Sequence, residues 1–379
     1  MKITVVCDVL GEENNGVTIA AMNLIRYLSE RGHDLRVLCG DEDKRGLPGY
    51  SIVRNLNFGP LNGYLAKNGV KLAKADKKVI REALEGADVV HIMLPFPLGQ
   101  ASAKMAKLLG IPVSAGFHLL AENFSTHIFM SRSHLVNRLS YAYFHRLYKR
   151  VDSIHYVTQY LRDLYEGMYG KTNGYVISNG VNESFRPMPE PVPDDGLIRI
   201  LYTGRYSKEK SHRTLLRAVQ KSAYRDRIQL VLAGDGPLKK KLKRKSRSLP
   251  VPPVFGFFNR EEMVKLNNSA YLYVHAAEYE AEGIACLEAI ACGLVPIICN
   301  SEKSATRFYA IDERSLFRRG DADDLAAKID WWIEHPEARE EYSARYRALS
   351  GEKFDHIACM SAMERMLAET ASLAPAKKA

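Results

Sequence analysis

Residues 279–297, YEAEGIACLEAIACGLVPI, join a polar loop to an apolar helical segment through a glycine. Gly283 has no side chain, so backbone or ligand can approach it closely. The amides of Gly283, Ile284 and Ala285 would then be the N–H groups at the start of a helix. Such groups have no acceptor within the helix and attract phosphate. The stretch therefore predicts a phosphate site where the helix begins.

Glutamates flank this predicted phosphate site. Glu288 lies a turn or so into the helix, where a carboxylate can accept two hydrogen bonds from a ribose diol. Glu280 lies in the loop before the helix and can face whatever is attached beyond the phosphates. A phosphate site between two carboxylates suits a nucleotide-activated sugar. The structural alternative is that Glu280 and Glu282 favour the positive end of the helix dipole and that Glu288 is solvated.

The chain as a whole predicts two domains of alternating strands and helices. Its 379 residues exceed one typical core, and strand, loop and helix patterns recur on both sides of MPEPVPDD, residues 188–195. We expect this proline-rich, acidic segment to be the linker. The predicted boundaries are 1–188 and 189–355 for the two domains and 356–379 for a final helix with a frayed tail.

Composition favours a globular, cytosolic chain. The hydrophobic content is 46%, no run of about 18 apolar residues occurs, and the start MKITVVCDVL is typical of a strand rather than a signal peptide. The six cysteines show no C-x-x-C pairing. We expect them to be buried, reduced thiols rather than disulfides or zinc ligands. The first loop lacks G-x-G-x-x-G, which argues against a dinucleotide oxidoreductase.

The net charge of +10 favours an anionic partner. Residues 239–247, KKKLKRKSR, contain no acidic side chain, and residues 131–151 carry an apolar stripe with basic and aromatic neighbours. Together these two segments suit an anionic membrane surface. The structural alternatives are a solvated charged face and a core helix. No nucleic-acid-binding motif is present, so we expect no nucleic-acid partner.

Four further positions follow predicted strands. Arg205 and Lys210, at a strand end and a helix start, can clamp a diphosphate, the arginine as a fork and the lysine as a point charge. His118 would point into the crevice where open α/β sheets bind ligands, although a hydrogen-bonded structural histidine is the alternative. Gly16 lies in the loop after the first strand, where a plain turn is the alternative.

The spacing of Glu280 and Glu288, with seven residues between them, resembles the E-x7-E signature of the retaining GT-B glycosyltransferases, the family 4 or group 1 enzymes. Gly204, Arg205 and Lys210 match the family's G-R-x-x-x-x-K residue for residue. The resemblance covers nearly the whole chain. It implies two Rossmann-like, doubly wound α/β domains that face each other across a cleft.

Other positions separate this chain from related patterns. Glu282 stands where the family usually has an aromatic residue, and Ser211 replaces a common glycine. The stretches 41–43 (DED) and 321–323 (DAD) have the D-x-D spacing of metal-dependent GT-A enzymes. Both lie in polar, turn-rich segments, so we expect solvated loops and assign no metal.

The resemblance implies a role for each candidate side chain. Arg205 and Lys210 would stabilise the leaving diphosphate, while Glu280 and His118 would orient the sugar. The loop that contains Gly16 would lie across the donor phosphates. The first domain would bind the acceptor, the second would bind the nucleotide sugar, and the final helix would cross back to the first domain.

The segments HIMLPFPLG, GFHLLAENF, VDSIHYVTQYLRDLYE and VISNGVNESF resemble the bacterial diacylglycerol glycosyltransferases. This implies transfer of a hexose from UDP-glucose or UDP-galactose to a membrane lipid, with glucose as the expected sugar. Configuration would be retained, no metal or other cofactor would be needed, and the enzyme would lie on the inner face of the cell membrane. The alternatives are transfer to a soluble acceptor (a sugar phosphate or polysaccharide), a nucleotide-sugar 2-epimerase, and a non-catalytic protein that binds lipid or nucleic acid.

Overall fold

The computed structural model describes residues 1–8, 10, 16–57, 59, 72–126, 133–189 and 195–374. These residues form two compact units. The first comprises residues 1–179 with 357–379, and the second comprises residues 180–356.

The first unit is built on a parallel sheet of seven described strands in the order β3-β2-β1-β4-β5-β6-β7. In chain order the strands are β1 Lys2–Val6, β2 Asp34–Cys39, β3 Tyr50–Ile52, β4 Val89–Ile92, β5 Val113–Phe117, β6 Ser153–Tyr156 and β7 Gly174–Val176. All residues of β4, β5 and β6 are buried, as expected for parallel strands covered on both faces.

Helices surround this sheet. Those described are α1 Gly16–Glu30, α2 Lys77–Leu84, α3 Pro97–Leu108, α4 Ala121–Thr126, α5 His134–Tyr148 and α6 Gln159–Tyr169. The last helix of the chain, His356–Ala371, also belongs here. Its buried Met360, Met363 and Leu367 join the core around β1, and Glu364 Oε1 lies 2.8 Å from His33 Nε2.

The second unit repeats the topology with six strands in the order β10-β9-β8-β11-β12-β13, all parallel. The strands are β8 Ile198–Thr203, β9 Ile228–Ala233, β10 Val254–Gly256, β11 Leu272–His275, β12 Pro296–Asn300 and β13 Leu316–Arg318. The helices of this unit are α7 His212–Lys221, α8 Lys239–Lys245, α9 Arg260–Ser269, α10 Ile284–Ala291, α11 Ala322–Glu334 and α12 Pro336–Lys353, so the final helix of the chain is α13.

In both sheets the strand order reverses once, between β1 and β4 in the first and between β8 and β11 in the second. This is the doubly wound Rossmann order, and ligands bind where it reverses, beyond the carboxyl ends of the strands. The predicted α/β class with two Rossmann-like domains is confirmed. All six cysteines are buried and free, as predicted.

Local sequence determines where two helices of this unit begin. Helix α2 begins at Lys77, because Asp76 caps it by accepting hydrogen bonds from two backbone amides. Helix α3 begins at Pro97, because proline is favoured in the first turn of a helix.

The apolar stripe predicted along residues 131–151 is only partly buried. Helix α5 buries Phe144, Leu147 and Tyr148, but Leu135 is 66% exposed and Leu139 is 60% exposed. Residues 131 and 132 lie outside the described residues. Among the helices described, none is both long and apolar enough to cross a bilayer.

Candidate functional site

The candidate residues of the second unit lie on two adjacent loops and on helix α10, which follows the second loop. Strands β8 and β11 are neighbours in the sheet, with Leu272 paired to Ile200. The loop after β8 (204–211) and the loop after β11 (276–283) therefore leave the same edge of the sheet, on either side of the point where the strand order reverses. This is the position where open α/β sheets bind ligands.

The loop after β8 is fixed by the Gly-Asp-Gly turn that follows β9. Tyr206 donates a backbone hydrogen bond to Asp235 O at 2.8 Å, and Gly204 donates one to Ala233 O at 2.9 Å. A Cβ atom added at Gly236 would lie 3.1 Å from Cγ of Arg205. The turn thus packs against the stem of Arg205 and holds this residue at the strand end.

Lys210 is anchored through its backbone and pairs through its side chain. Its carbonyl accepts a hydrogen bond of 2.5 Å from the Tyr202 hydroxyl, and its ammonium donates to Glu280 Oε1. The next residue, Ser211, has a φ of 49°, which explains why glycine is common here in the family that the sequence resembles. Its hydroxyl donates to Glu278 at 2.8 Å.

Glu280 lies at the centre of this arrangement. Its backbone forms a parallel bridge with Ser304, and its carboxylate lies against Lys210 and 3.4 Å from Nε2 of His275. Burial alone would raise the pKa of Glu280, but Lys210 and His275 outweigh it and lower the pKa to about 2. Glu280 is therefore ionised at neutral pH.

His275 is a site residue that the sequence reasoning missed. It ends β11, is 1% exposed, and its Nδ1 lies 3.3 Å from the Tyr273 hydroxyl. Burial lowers the pKa of His275, and the adjacent carboxylate of Glu280 acts in the opposite direction. The available signal was a histidine at the end of an apolar strand, which is the signal that identified His118.

The helix start at Gly283 has the predicted form. Gly283 has a φ of 82°, and no described side chain caps the helix. A Cβ atom added there would lie 2.3 Å from Cγ2 of Thr306, so only glycine fits. The amides of Ile284 and Ala285 follow in the first turn, and Glu288 is half-buried one turn further on. The predicted helix start is therefore present, and phosphate binding by its amides stays a prediction.

The remaining candidates belong to the first unit. His118 follows β5, is 7% exposed, and its ring lies 5.3 Å from that of His155. Burial, with smaller contributions from His155 and His91, lowers the pKa of His118 well below its ordinary value. Gly16 was expected in a loop but is the first residue of α1, while the loop residues 11–15 lie outside the described residues.

The two D-x-D stretches have structural roles. Asp321 caps α11 by accepting hydrogen bonds from the amides of Asp323 and Asp324, each at 3.0 Å. Asp41 is buried and accepts a hydrogen bond of 2.5 Å from the amide of Leu10. Both first aspartates therefore accept hydrogen bonds from backbone amides. The expectation of a solvated loop is wrong for Asp41, because its carboxylate is buried against a distant part of the chain.

Comparison with known families agrees with this geometry. The profile described as Glycosyl transferases group 1 matches residues 188–348, and the profile described as Glycosyltransferase Family 4 matches residues 14–185. The chain belongs to this glycosyltransferase family. The resemblance seen at Arg205, Lys210, Glu280 and Glu288 thus reflects membership, and the second unit carries the group 1 region.

Relatives of this glycosyltransferase differ in what their names say they act on. Alpha-monoglucosyldiacylglycerol synthase of Streptococcus pneumoniae is 24% identical over 93% of this chain and 83% of the relative. A GDP-mannose-dependent alpha-mannosyltransferase of Corynebacterium glutamicum is 27% identical over 79% of this chain and 72% of the relative. Sucrose-phosphate synthase from Thermosynechococcus elongatus has a TM-score of 0.79 at 17% identity, over 98% of this chain and 99% of that structure. The last likeness shows the GT-B fold.

The helix start predicts that Gly283→Ala lowers the free energy of unfolding more than an alanine substitution at a glycine with open space around it. Gly320 also has a positive φ, of 75°, but a Cβ atom added there meets nothing within 4 Å. Gly320→Ala should therefore lose only about 1–2 kcal/mol for the left-handed backbone. Gly283→Ala should lose more, because its methyl group also displaces Thr306. Urea unfolding of the two variants measures the difference, and equal losses would contradict the contact with Thr306.

The Lys210–Glu280 pair predicts that substitutions at its two residues have non-additive effects on the unfolding free energy. Its side chains are 19% and 12% exposed, so Lys210→Met should cost about 3–5 kcal/mol of unfolding free energy by leaving a buried carboxylate unpaired. The double variant Lys210→Met/Glu280→Gln should cost less than this single one. Lys221→Met removes a solvent-exposed pair with Asp323 and should cost under about 1 kcal/mol.

The same pair has a defined pH dependence. The pKa of Glu280 lies below its ordinary value of 4.5, at about 2, so its contribution to stability is present above pH 4.5 and is lost as the pH falls toward 2. In the double variant this part of the acid dependence should be absent. Acid unfolding curves that coincide for wild type and double variant would be the opposite result.

Proposed function

We propose that this glycosyltransferase moves a hexose from a nucleotide diphosphate sugar to a hydroxyl group of a membrane lipid such as diacylglycerol. Glucose is the hexose that we propose. Configuration at the anomeric carbon is retained, and no metal is needed at the diphosphate. The observation that carries the proposal is the Lys210–Glu280 contact at the point where the strand order reverses, beside the helix start at Gly283. The name of the Streptococcus pneumoniae relative supports the lipid acceptor.

The donor site follows from the charges on the two loops. Arg205 offers a planar fork to the diphosphate, and Lys210 has three N–H donors, of which the contact with Glu280 uses one. The first amides of α10 supply further donors. Glu280 is held ionised and immobile by Lys210, so it can accept hydrogen bonds from sugar hydroxyls, while Glu288 accepts those of the ribose.

During the reaction, negative charge develops on the leaving diphosphate, beside the groups that can stabilise it. The bond between the anomeric carbon and the diphosphate oxygen breaks, and a bond from the acceptor oxygen to the same carbon forms on the same face. The acceptor proton passes to the leaving diphosphate oxygen. Fixed cations and amides stabilise the negative charge that develops on the diphosphate, and they need no reorganisation during the step. The role of His118 in orienting the sugar stays a prediction of the family resemblance.

Two surfaces support the proposal that the enzyme acts at the inner face of a cell membrane. In the first unit, Leu135 and Leu139 lie one turn apart on α5, and both are largely exposed. In the second unit, a basic patch on α8 and α7 comprises Lys240, Lys241, Arg244, Lys245, Arg213 and Arg217. The pKa of Lys245 is lowered chiefly by Arg213, with Lys241, Arg217 and Arg244 also contributing, so these charges lie close together. Exposed leucines and clustered cations suit an anionic lipid surface.

The proposal predicts a lipid product that depends on one donor. Purified protein is supplied with UDP-glucose, UDP-galactose or GDP-mannose, with either diacylglycerol in anionic vesicles or a soluble sugar phosphate, in the presence of EDTA. Mass spectrometry should find one added hexose on the lipid, and the anomeric proton coupling should show an α-linkage. Arg205→Ala should lower turnover by roughly 100-fold or more, because a donor to the leaving group is lost.

The exposed Arg225, in the same unit, serves as the control for Arg205, and Arg225→Ala should leave turnover unchanged. Hexose transfer only to the soluble acceptor would overturn the lipid assignment while keeping the donor site. Unchanged turnover in Arg205→Ala would remove that residue from the reaction.

The basic patch predicts charge-dependent vesicle binding. Lys240→Gln/Lys241→Gln/Arg244→Gln should weaken binding to phosphatidylglycerol vesicles on the order of 100-fold, at about 1 kcal/mol per charge. Lys77→Gln/Lys78→Gln/Arg81→Gln removes the same charge from exposed positions on α2 and should bind nearly as wild type. Co-sedimentation at low and high salt measures both. Equal losses in the two triple variants would mean that net charge, and not the patch, drives binding.

A further inference from the structure

Three histidines lie together in the first unit, whereas the proposed diphosphate site belongs to the second. His91 is in β4, His118 follows β5, and His155 is in β6. The register pairs His91 with Ser114 and Gly116 with His155, so these side chains share one face of the sheet with the alternating positions of β5. One nitrogen from each ring lies within 4.8 Å of the others.

These rings hold nitrogen atoms with no protein partner. His91 Nε2, His155 Nδ1 and both nitrogens of His118 are buried and make no hydrogen bond to the described residues. The three residues are 0%, 2% and 7% exposed. An unsatisfied buried polar atom costs about 1–3 kcal/mol, so four such atoms in one cluster favour a site that a metal ion or a water molecule can fill.

The opposite nitrogens of two rings are held in a specific way. His155 Nε2 lies 2.7 Å from the carbonyl of Ile177, and a carbonyl can only accept, so Nε2 carries the hydrogen and Nδ1 presents a lone pair. His91 Nδ1 lies 2.8 Å from the Ser114 hydroxyl, which leaves Nε2 toward the cluster. Metal-binding histidines are oriented by such contacts at the second nitrogen.

The third ring fits because of a glycine. A Cβ atom added at Gly116 would lie 2.2 Å from Nε2 of His118. Any other residue at this position would push the ring of His118 out of its place. The chain thus carries a glycine where the histidine cluster requires space.

We propose that His91, His118 and His155 bind one divalent transition-metal ion of the zinc type. Three imidazoles are a common zinc ligand set and leave a fourth position for water. Tetrahedral zinc bonds of about 2.0–2.1 Å separate the nitrogens by about 3.4 Å, so the longest separation, which is within 4.8 Å, has to shorten by at most about 1.4 Å. Magnesium and calcium prefer oxygen ligands and do not suit this set.

The proposed ion does not displace the role proposed for His118. Neither ring nitrogen of His118 has a hydrogen-bond partner among the described residues, so one nitrogen can bind the metal and the other stays available to a second ligand. The ion would also tie together three adjacent strands. Its presence is independent of the reaction proposed above, because metal content and thermal stability are measured without any substrate.

The test uses the full chain without an affinity tag, dialysed against a chelator and then against buffered Zn²⁺. Elemental analysis should find about one zinc ion per chain, and zinc should raise the unfolding temperature. Cobalt in the same site should give the visible absorption of a tetrahedral nitrogen set without a thiolate charge-transfer band. That absence matters because six cysteines are present.

Variants distinguish the cluster from adventitious binding. Ser114→Ala removes the hydrogen bond to His91 and should weaken zinc binding by roughly 10–100-fold, and His91→Gln and His155→Gln should weaken it further. His212→Gln is the control, because His212 is equally buried with both nitrogens unpartnered but lies in the second unit; it should bind zinc as wild type. No zinc in the folded wild-type chain, or equal zinc in His91→Gln and wild type, overturns the proposal and leaves a buried water as the ligand of the three rings.

Discussion

The candidate donor site depends on one topological constraint, the adjacency of β8 and β11 in the second sheet. Parallel strands that are neighbours bring the loops after them to the same edge, although Arg205 and Ala277 are 72 positions apart in the chain. Lys210 and Glu280 meet because of this adjacency. Without it, a cation, a carboxylate and a helix start would be three unrelated features of a long sequence.

The contact between Lys210 and Glu280 costs hydration free energy, and this cost helps to explain why both residues are held in a fixed geometry. A partly buried ion pair loses hydration on both sides, and attraction offsets that loss only when the geometry is fixed. The structure fixes it from several directions: Tyr202 holds the backbone of Lys210, Ser304 bridges the backbone of Glu280, and His275 lies beneath the carboxylate. Such a pair adds little net stability. Its effect is to keep an ionised carboxylate and an ammonium in one place, as a site for a charged ligand requires.

Sequence reasoning predicted the features that local patterns encode. The period of apolar residues predicted the alternation of strands and helices, and the fixed spacing of Arg205, Lys210, Glu280 and Glu288 located the two loops of the candidate donor site. Sequence reasoning failed where tertiary contacts determine which side chains are exposed and which become neighbours. The exposure of Leu135 and Leu139 depends on which face of α5 finds a neighbour, and this is not set by the stripe itself. Arg213 and Arg217 join the basic patch only through the packing of α7 near α8.

The histidine cluster shows the same limit more sharply. His91, His118 and His155 are separated by 26 and 36 residues, so no spacing motif relates them; only the strand order β4-β5-β6 brings them together. The two units, built on one topology, therefore carry opposite chemistry. The second gathers fixed charges, whereas the first gathers neutral imidazoles and the buried Asp8, whose pKa burial raises to about 7. Fixed charges match a diphosphate, and neutral polar groups match hydroxyls or a metal ion.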